Sequence, residues 1–591
     1  MTRPALATSV VLSAVLATTL MGAGVLSGQT PPQPLFDWDT PPFPAEDYQE
    51  RRARLAEEAA QAGGAFVVLS GAGLSHGDTF RQLDDFSYLV GLELPRSLLI
   101  VDGTTARSVL FVPAGDFRFE SPSRPNDFPG RPLSTDPEIL AWLSDVEVRD
   151  AAEADQFVDS LASIGTPLIV NPGSAQLPTG PGPLFASEEE VVQSIRSAQA
   201  RWSDARFVSG FDAMARVRSI KSANEIEIME RVARMTARAI VRSVRDVSEG
   251  TTERTLEGAF LEACKSDGSQ RAAFAPIIKS GPNSLWPWRV LASHYDRRDR
   301  AMTSGDLVIF DVGCELDGYI SDVGRTFPVN GQFTQQQRQI LDMEVDVSDA
   351  IIAAIKPGVT LAELQAIADR AIPENEKPYM QVGLFFGHHL GLSTGDPVLT
   401  DEPLKAGMIF TVEPWYYNHD LDVSVFTEDQ ILVTSQGARN LTADLPRRPD
   451  ALEAVVASGV VSRLTLDPGD AALAETLAET VDNYAATWNE ADPDQRLAAL
   501  GEVWASNGRY RDPTAHVRGR NGLSNHIAGF QSQLPGSTIR RSGPVLGTAA
   551  HFYFRWEIVD ASGQAVATGH DAGVLDVDGR ILEIRGFFDQ P

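Results

Sequence analysis

Four short apolar segments, each ending on a carboxylate, constrain this chain more than any other feature. Leu307-Val308-Ile309-Phe310 delivers Asp311, and after the turn signal Asp317-Gly318 the segment Tyr319-Ile320-Ser321 delivers Asp322. With residues 315–318 as the loop, Asp311 faces Asp322 directly across a hairpin, on one side, with Cβ atoms about 5 Å apart. The pattern recurs downstream. Ile409-Phe410-Thr411-Val412 delivers Glu413 and Val423-Ser424-Val425-Phe426-Thr427 delivers Glu428, with a turn over 418–422 that sets the two glutamates opposite each other. Between the hairpins lies Gly387-His388-His389-Leu390-Gly391-Leu392, an imidazole source in an apolar stretch.

Carboxylates placed so closely in an apolar sheet repel, and a metal ion is the economical counter-charge. Four carboxylates and one imidazole balance two divalent ions. They suit Mn²⁺ first, with Co²⁺, Fe²⁺ or Zn²⁺ as alternatives. Two such ions about 3.5–4 Å apart can bridge and deprotonate a water. Any one of these acids alone would read as an ordinary strand-end carboxylate, but two matched pairs with a histidine do not.

At 591 residues the chain is too long for a single core. Its 80 acidic against 50 basic side chains, a net charge of −30, argue against nucleic-acid partners, whose binding needs clustered Lys and Arg. Residues 1–28 read as a secretory signal: Arg3, an apolar run over 5–21, then small residues. The expectation is an exported protein, periplasmic or secreted, with no stable membrane span after signal cleavage. Cys264 and Cys314 are expected as two buried free thiols. A Pro-rich linker covers 29–45. An α/β domain follows over 46–206, with a helix over 45–62 and strands over 65–69, 97–101 and 108–112. The unit at 207–446 opens with a helix capped by Ser222 and Glu225 and carries further helices over 252–264, 334–355 and 361–371. Residues 447–469 read as a connector. The last unit, 470–591, has one strand of clean alternation, with Phe552, Phe554, Trp556 and Ile558 on one face.

The run 311–328, the segment 387–392, Thr411-Val412-Glu413-Pro414 and Glu428-Asp429 resemble the pita-bread metallopeptidases, and within them aminopeptidase P and prolidase. Arg218-Ser219-Ile220-Lys221-Ser222 resembles the usual start of that domain. Asp78-Thr79-Phe80-Arg81-Gln82 and Asp85-Phe86-Ser87-Tyr88-Leu89 resemble the aminopeptidase P N-terminal domain. The resemblance spans about 47–445. It implies an α+β protein, with a creatinase/aminopeptidase P-like N-terminal α/β domain ahead of a pita-bread catalytic domain. It implies Asp311, Asp322, His388, Glu413 and Glu428 as metal ligands, Asp322 and Glu428 bridging. His294 is then the substrate-facing histidine and Glu413 also the general base. The implied activity is a dinuclear exopeptidase that removes the residue before proline from a peptide substrate, by a hydroxide bridging the ions, in a homo-oligomer. A prolidase acting on Xaa-Pro dipeptides is the near alternative. A metal-binding protein without turnover, whose C-terminal domain captures a small molecule, is the distant one. Creatinase-like relatives of the fold lack the complete ligand set.

Three positions depart from the family pattern. Gly395 stands where a second active-site histidine is usual, Leu384 where an earlier one is, and Phe426 where an arginine often precedes the last glutamate. His389 and His419 are candidates to stand in for the lost histidine. Residues 470–591 resemble NTF2-like, SnoaL-like domains, an α+β cone, through Tyr484, Trp488-Asn489, Tyr510-Arg511-Asp512-Pro513 and the ending at 578–589. Tyr510, Asp512, His516, Arg555 and Asp571 could converge on a cavity there. The preferred reading is that they satisfy one another while the domain packs or dimerises.

Overall fold

The computed structural model describes residues 41–71, 80–115, 133–135, 140, 142–180, 182, 189–285, 289, 299–380, 387–464, 471–547, 551–576 and 579–589. His294 and Leu384, the signal read over 1–28 and most of the Pro-rich linker lie outside the described residues.

Helix α1 (Ala45–Gln61) lays Tyr48, Leu55 and Ala59 against a six-stranded mixed sheet. The sheet comprises β1 (Ala65–Leu69), β2 (Leu98–Asp102), β3 (Arg107–Val112), β4 (Glu147–Asp150), β5 (Leu168–Val170) and β6 (Phe207–Ser209), in the order β4-β3-β2-β1-β5-β6. Its central strands are unbroken apolar runs because separate buried clusters cover their two faces.

The second unit opens with α2 (Ala223–Val244), whose N-terminus carries the expected capping box: the Ser222 side chain accepts from the Glu225 backbone and the Glu225 side chain accepts from the Ser222 backbone. Next come α3 (Glu253–Ser266), capped by Thr252, and β7 (Ile277–Ser280), β8 (Leu307–Val312), β9 (Glu315–Leu316), β10 (Tyr319–Ile320) and β11 (Val323–Pro328). Helices α4 (Gln335–Ala354) and α5 (Leu361–Ala371) follow, then β12 (Ile409–Val412), β13 (Trp415–Asn418), β14 (Val423–Phe426), β15 (Asp429–Val433) and β16 (Ala438–Asn440). The small sheets run β11-β8-β7 and β12-β15-β16, and β13 pairs with β14.

Three expectations are corrected here. The first hairpin pairs Asp311 with Gly324, not Asp322, because the turn is the two-residue Asp317-Gly318 with both φ positive, at 53° and 85°. Asp322 therefore lies two residues along, on the same side. Cys264 and Cys314 form a disulfide, not free thiols, since α3 packs its buried end against the β8–β9 corner. The segment read as a connector contains helix α6 (Pro449–Leu464), whose Leu452 and Val456 enter the core of the second unit.

The third unit packs α7 (Ala471–Thr487), α8 (Pro493–Val503) and α9 (Gly519–Gln533) on a seven-stranded sheet. Its strands are β17 (Trp504–Arg511), β18 (His516–Arg518), β19 (Thr538–Arg541), β20 (Leu546–Gly547), β21 (His551–Val559), β22 (Ala565–Leu575) and β23 (Ile581–Phe588). β21 alternates as expected, with Phe552, Phe554, Trp556 and Ile558 buried against Tyr484, Trp488 and Trp504. A cavity of about 680 Å³ opens where the three units meet, lined by Arg81, Glu315, Arg231 and Arg509 among others and by none of the five expected ligands. Among the described residues no helix is long and apolar enough to cross a membrane.

Candidate metal centre

Two hairpins are brought face to face by a stitch of buried polar groups. Gly324 and Glu428 exchange backbone hydrogen bonds, the two N–H groups donating across 3.3 and 3.0 Å. The Thr326 hydroxyl donates to the Phe426 carbonyl (2.9 Å) and accepts from its N–H (2.8 Å). Arg325, fully buried, donates to the Glu428 carbonyl at 2.5 Å and the Asp429 carboxylate at 2.7 Å. A side chain at position 324 would not fit: its Cβ would fall 2.3 Å from the Phe426 ring and 2.8 Å from Glu428 Cβ.

The histidine arrives by a short strand-like pairing along β12. The Thr411 N–H donates to the His388 carbonyl at 3.0 Å, and the His388 N–H donates to the Thr411 hydroxyl at 3.1 Å. Gly387 makes the approach feasible, at φ 62° with the place of its missing Cβ only 1.9 Å from Glu413 Oε1. His388 Nε2 then lies 3.3 Å from Asp322 Oδ2 and 3.9 Å from Glu413 Oε1. Asp322, His388 and Glu428 each offer a ligand atom, and all three atoms lie within 4.8 Å of one another. Glu413 is oriented from both sides, accepting from the Thr411 hydroxyl at 3.1 Å and from Trp415 Nε1 at 3.2 Å.

The electrostatics ask for cations. Burial, with the charges of Asp322 and Glu413, pushes the Asp311 carboxyl up to about 7 despite Arg289 and His388. Burial and the Asp322 carboxylate raise Glu413, and burial with Asp322, Glu413 and Asp311 lifts Glu428 well above the carboxylate range. Burial alone would lower His388, but the hydrogen bond to Asp322 and the nearby negative charge outweigh it and bring it to about 9. Asp322 Oδ1, both Glu428 carboxylate oxygens and His388 Nδ1 are buried without a hydrogen-bond partner. Desolvated, mutually repelling oxygens beside an imidazole fit the divalent ions expected from the sequence.

The candidates for the lost histidine fare differently. His389 turns away, buried against Phe410 with ring centroids 5.4 Å apart, and faces Lys221 and Asp396 instead of the carboxylates. Its neighbour one along the strand already faces the site, so alternation carries it to the other side. His419 is exposed in the β13–β14 turn. Gly395 is exposed with nothing near its Cβ position, and the following Asp396 is consumed by ion pairs with Arg218 and Lys221. In the third unit Tyr510 donates to Asp512 (2.9 Å), and Asp571 accepts from Trp556 Nε1 (2.7 Å) close by. His516 lies on the edge strand β18, and Arg555 is exposed and paired to Asp589, so neither joins them. His526, on α9, does, 3.9 Å from Asp512. Sequence reading also missed Arg289, buried beside Asp311, which no spacing rule connects to the strands it touches.

Residues 227–435 match Metallopeptidase family M24, and residues 48–164 match the Aminopeptidase P, N-terminal domain. The chain thus carries a metallopeptidase M24 domain behind an aminopeptidase P N-terminal domain. It is 26% identical over 460 residues to a Xaa-Pro aminopeptidase of Escherichia coli, covering 70% of this chain and 97% of that one. It is 32% identical over 239 residues to a Xaa-Pro dipeptidase of Pyrococcus furiosus, covering 39% and 65%. Zn-substituted E. coli aminopeptidase P in complex with product superposes with a TM-score of 0.56 at 25% identity, over 71% of this chain and 99% of that one.

Proposed function

We propose that this chain is a dinuclear metal-dependent exopeptidase that hydrolyses the bond between the first residue of a peptide and a following proline. The observation that carries the reading is the convergence of Asp322, His388 and Glu428 within 4.8 Å, with buried carboxylate oxygens that nothing else satisfies. Asp311 and Glu413 complete the ligand set. Two divalent ions, Mn²⁺ in the first instance, would supply there a polarised scissile carbonyl and a water of lowered pKa. Glu413, held by Thr411 and Trp415 with its pKa raised by burial, takes the proton of the attacking water and returns it to the leaving nitrogen. The family resemblance assigns His294 the role of assisting the tetrahedral intermediate.

The relatives named for Xaa-Pro substrates support proline selectivity, and the Pyrococcus dipeptidase supports a second reading, cleavage of Xaa-Pro dipeptides. We further propose that the third unit is an NTF2-like domain, on the strength of its mixed seven-stranded sheet, with register shifts in β17, β21 and β22, packed against three helices. The chain is assigned to the exported proteins by its first 28 residues, and to homo-oligomers by its family. The test uses protein from residue 29 onward, stripped and reloaded with Mn²⁺, on peptides with proline or alanine second, with products read by mass spectrometry. Release of the first residue before proline, reduced at least about 1,000-fold by Asp322→Ala, is expected. Absence of cleavage with two ions bound would move the assignment to a metal-binding protein without turnover.

A further inference from the structure

Phe426 stands where the family often carries an arginine, two residues before the last glutamate, and the structure shows what fills the space. Arg289, 3% exposed, reaches in from the segment that follows β7. Its guanidinium carbon lies 4.2 Å from the centre of the Phe426 ring and 4.5 Å from that of Trp415, both within cation–π range. Its Nη2 is 3.6 Å from Asp311 Oδ2. The buried Glu344 of α4 lies close enough to feel the charge of the same guanidinium. Trp415 in turn donates to Glu413, so one cation braces one ligand directly and a second through an indole.

We propose that Arg289 is the positioning residue for the Asp311 and Glu413 carboxylates, a guanidinium delivered from a different part of the chain into the place an arginine at 426 would hold. The assignment rests on the metal-centre reading above. Phe426 is then the stacking platform that an arginine from elsewhere requires. A guanidinium suits the place because it lies flat on two rings while presenting N–H groups to a carboxylate; an ammonium cannot do both. Groups that orient metal ligands typically change metal affinity by about 10–100-fold when removed.

The experiment titrates Mn²⁺ by calorimetry into the metal-free chain from residue 29, for the wild type, Arg289→Gln, Arg289→Lys and the double variant Arg289→Gln/Phe426→Arg. Metal-free melting temperatures are taken alongside. The wild type is expected to bind two ions. Arg289→Gln should bind one of them about 10–100-fold more weakly, Arg289→Lys should fall between, and the double variant should recover part of the loss. Equal affinity for both ions in all variants would overturn the assignment. So would a melting temperature lowered in every variant with no recovery in the double one, which marks Arg289 as packing alone. If Arg289→Gln does not fold, Arg289→Lys against the wild type decides: undiminished affinity refutes the proposal. A wild type that takes up no Mn²⁺ removes the metal-centre reading itself, and this assignment with it.

Discussion

Side by side in sequence, His388 and His389 have opposite environments. His388 is drawn up to about 9 by the carboxylates around it, while burial, with Lys221 nearby, takes His389 down to about 3. Neither ring nitrogen of His389 has a hydrogen-bond partner in the structure. An imidazole titrates near 6.5 when unfolded, so between roughly pH 6.5 and pH 3 the unfolded chain binds the extra proton. Stability from this residue is therefore present above that window and lost as pH falls through it. His389→Phe should leave kcat unchanged and stabilise the protein, with a gain about 2 kcal/mol larger at pH 5 than at pH 7.5. Thermal melts at the two pH values measure it. A folded variant with lost turnover would instead give His389 a place in the chemistry.

Elements show where local pattern sufficed. In the second hairpin β13 and β14 pair Trp415 with Phe426 and Asn418 with Val423, the register that sets Glu413 opposite Glu428 as expected. The first hairpin slipped by two residues because the loop is the Asp317-Gly318 turn alone, with Glu315 and Leu316 already paired in the strand, and not the four residues 315–318. An even slip keeps Asp322 on the face of Asp311, so the site survived the error. The disulfide was hidden for another reason: Cys264 and Cys314 are 50 residues apart, and only the packing of α3 brings their Cα atoms to 5.7 Å. Cys264→Ser/Cys314→Ser should lower stability by about 2–4 kcal/mol, the loop-closure scale for such a crosslink. Chemical denaturation measures that loss, and Mn²⁺ affinity should change little. A stability within about 0.5 kcal/mol of the wild type would contradict it.

Across the whole molecule, the boundary after the catalytic unit is set by α6 and not by the end of the sheet. Leu452 and Val456 are buried in that unit's core, the Phe333 N–H donates to Glu453 at 2.7 Å, and Arg338 pairs with Asp450 and Glu453. A chain ending at 464 should keep kcat within about twofold, because no expected ligand belongs to the third unit. A chain ending at 446 should lose about 2–5 kcal/mol by exposing apolar surface now covered. Melting and peptide cleavage on the two truncations separate these outcomes; equal stability would deny α6 its packing role.

The sequence by itself offered the candidate ligands, and determined the helix start at the Ser222 cap and the alternation of β21, because each depends on neighbours a few residues away. It also carried the family resemblance, which the match to Metallopeptidase family M24 bears out. Only the tertiary structure decided which way His389 faces, that the two cysteines join, that residues 449–464 are helical core, and that Arg289 occupies the space beside Phe426. Those outcomes depend on which distant surfaces exclude water together, and no local periodicity records that.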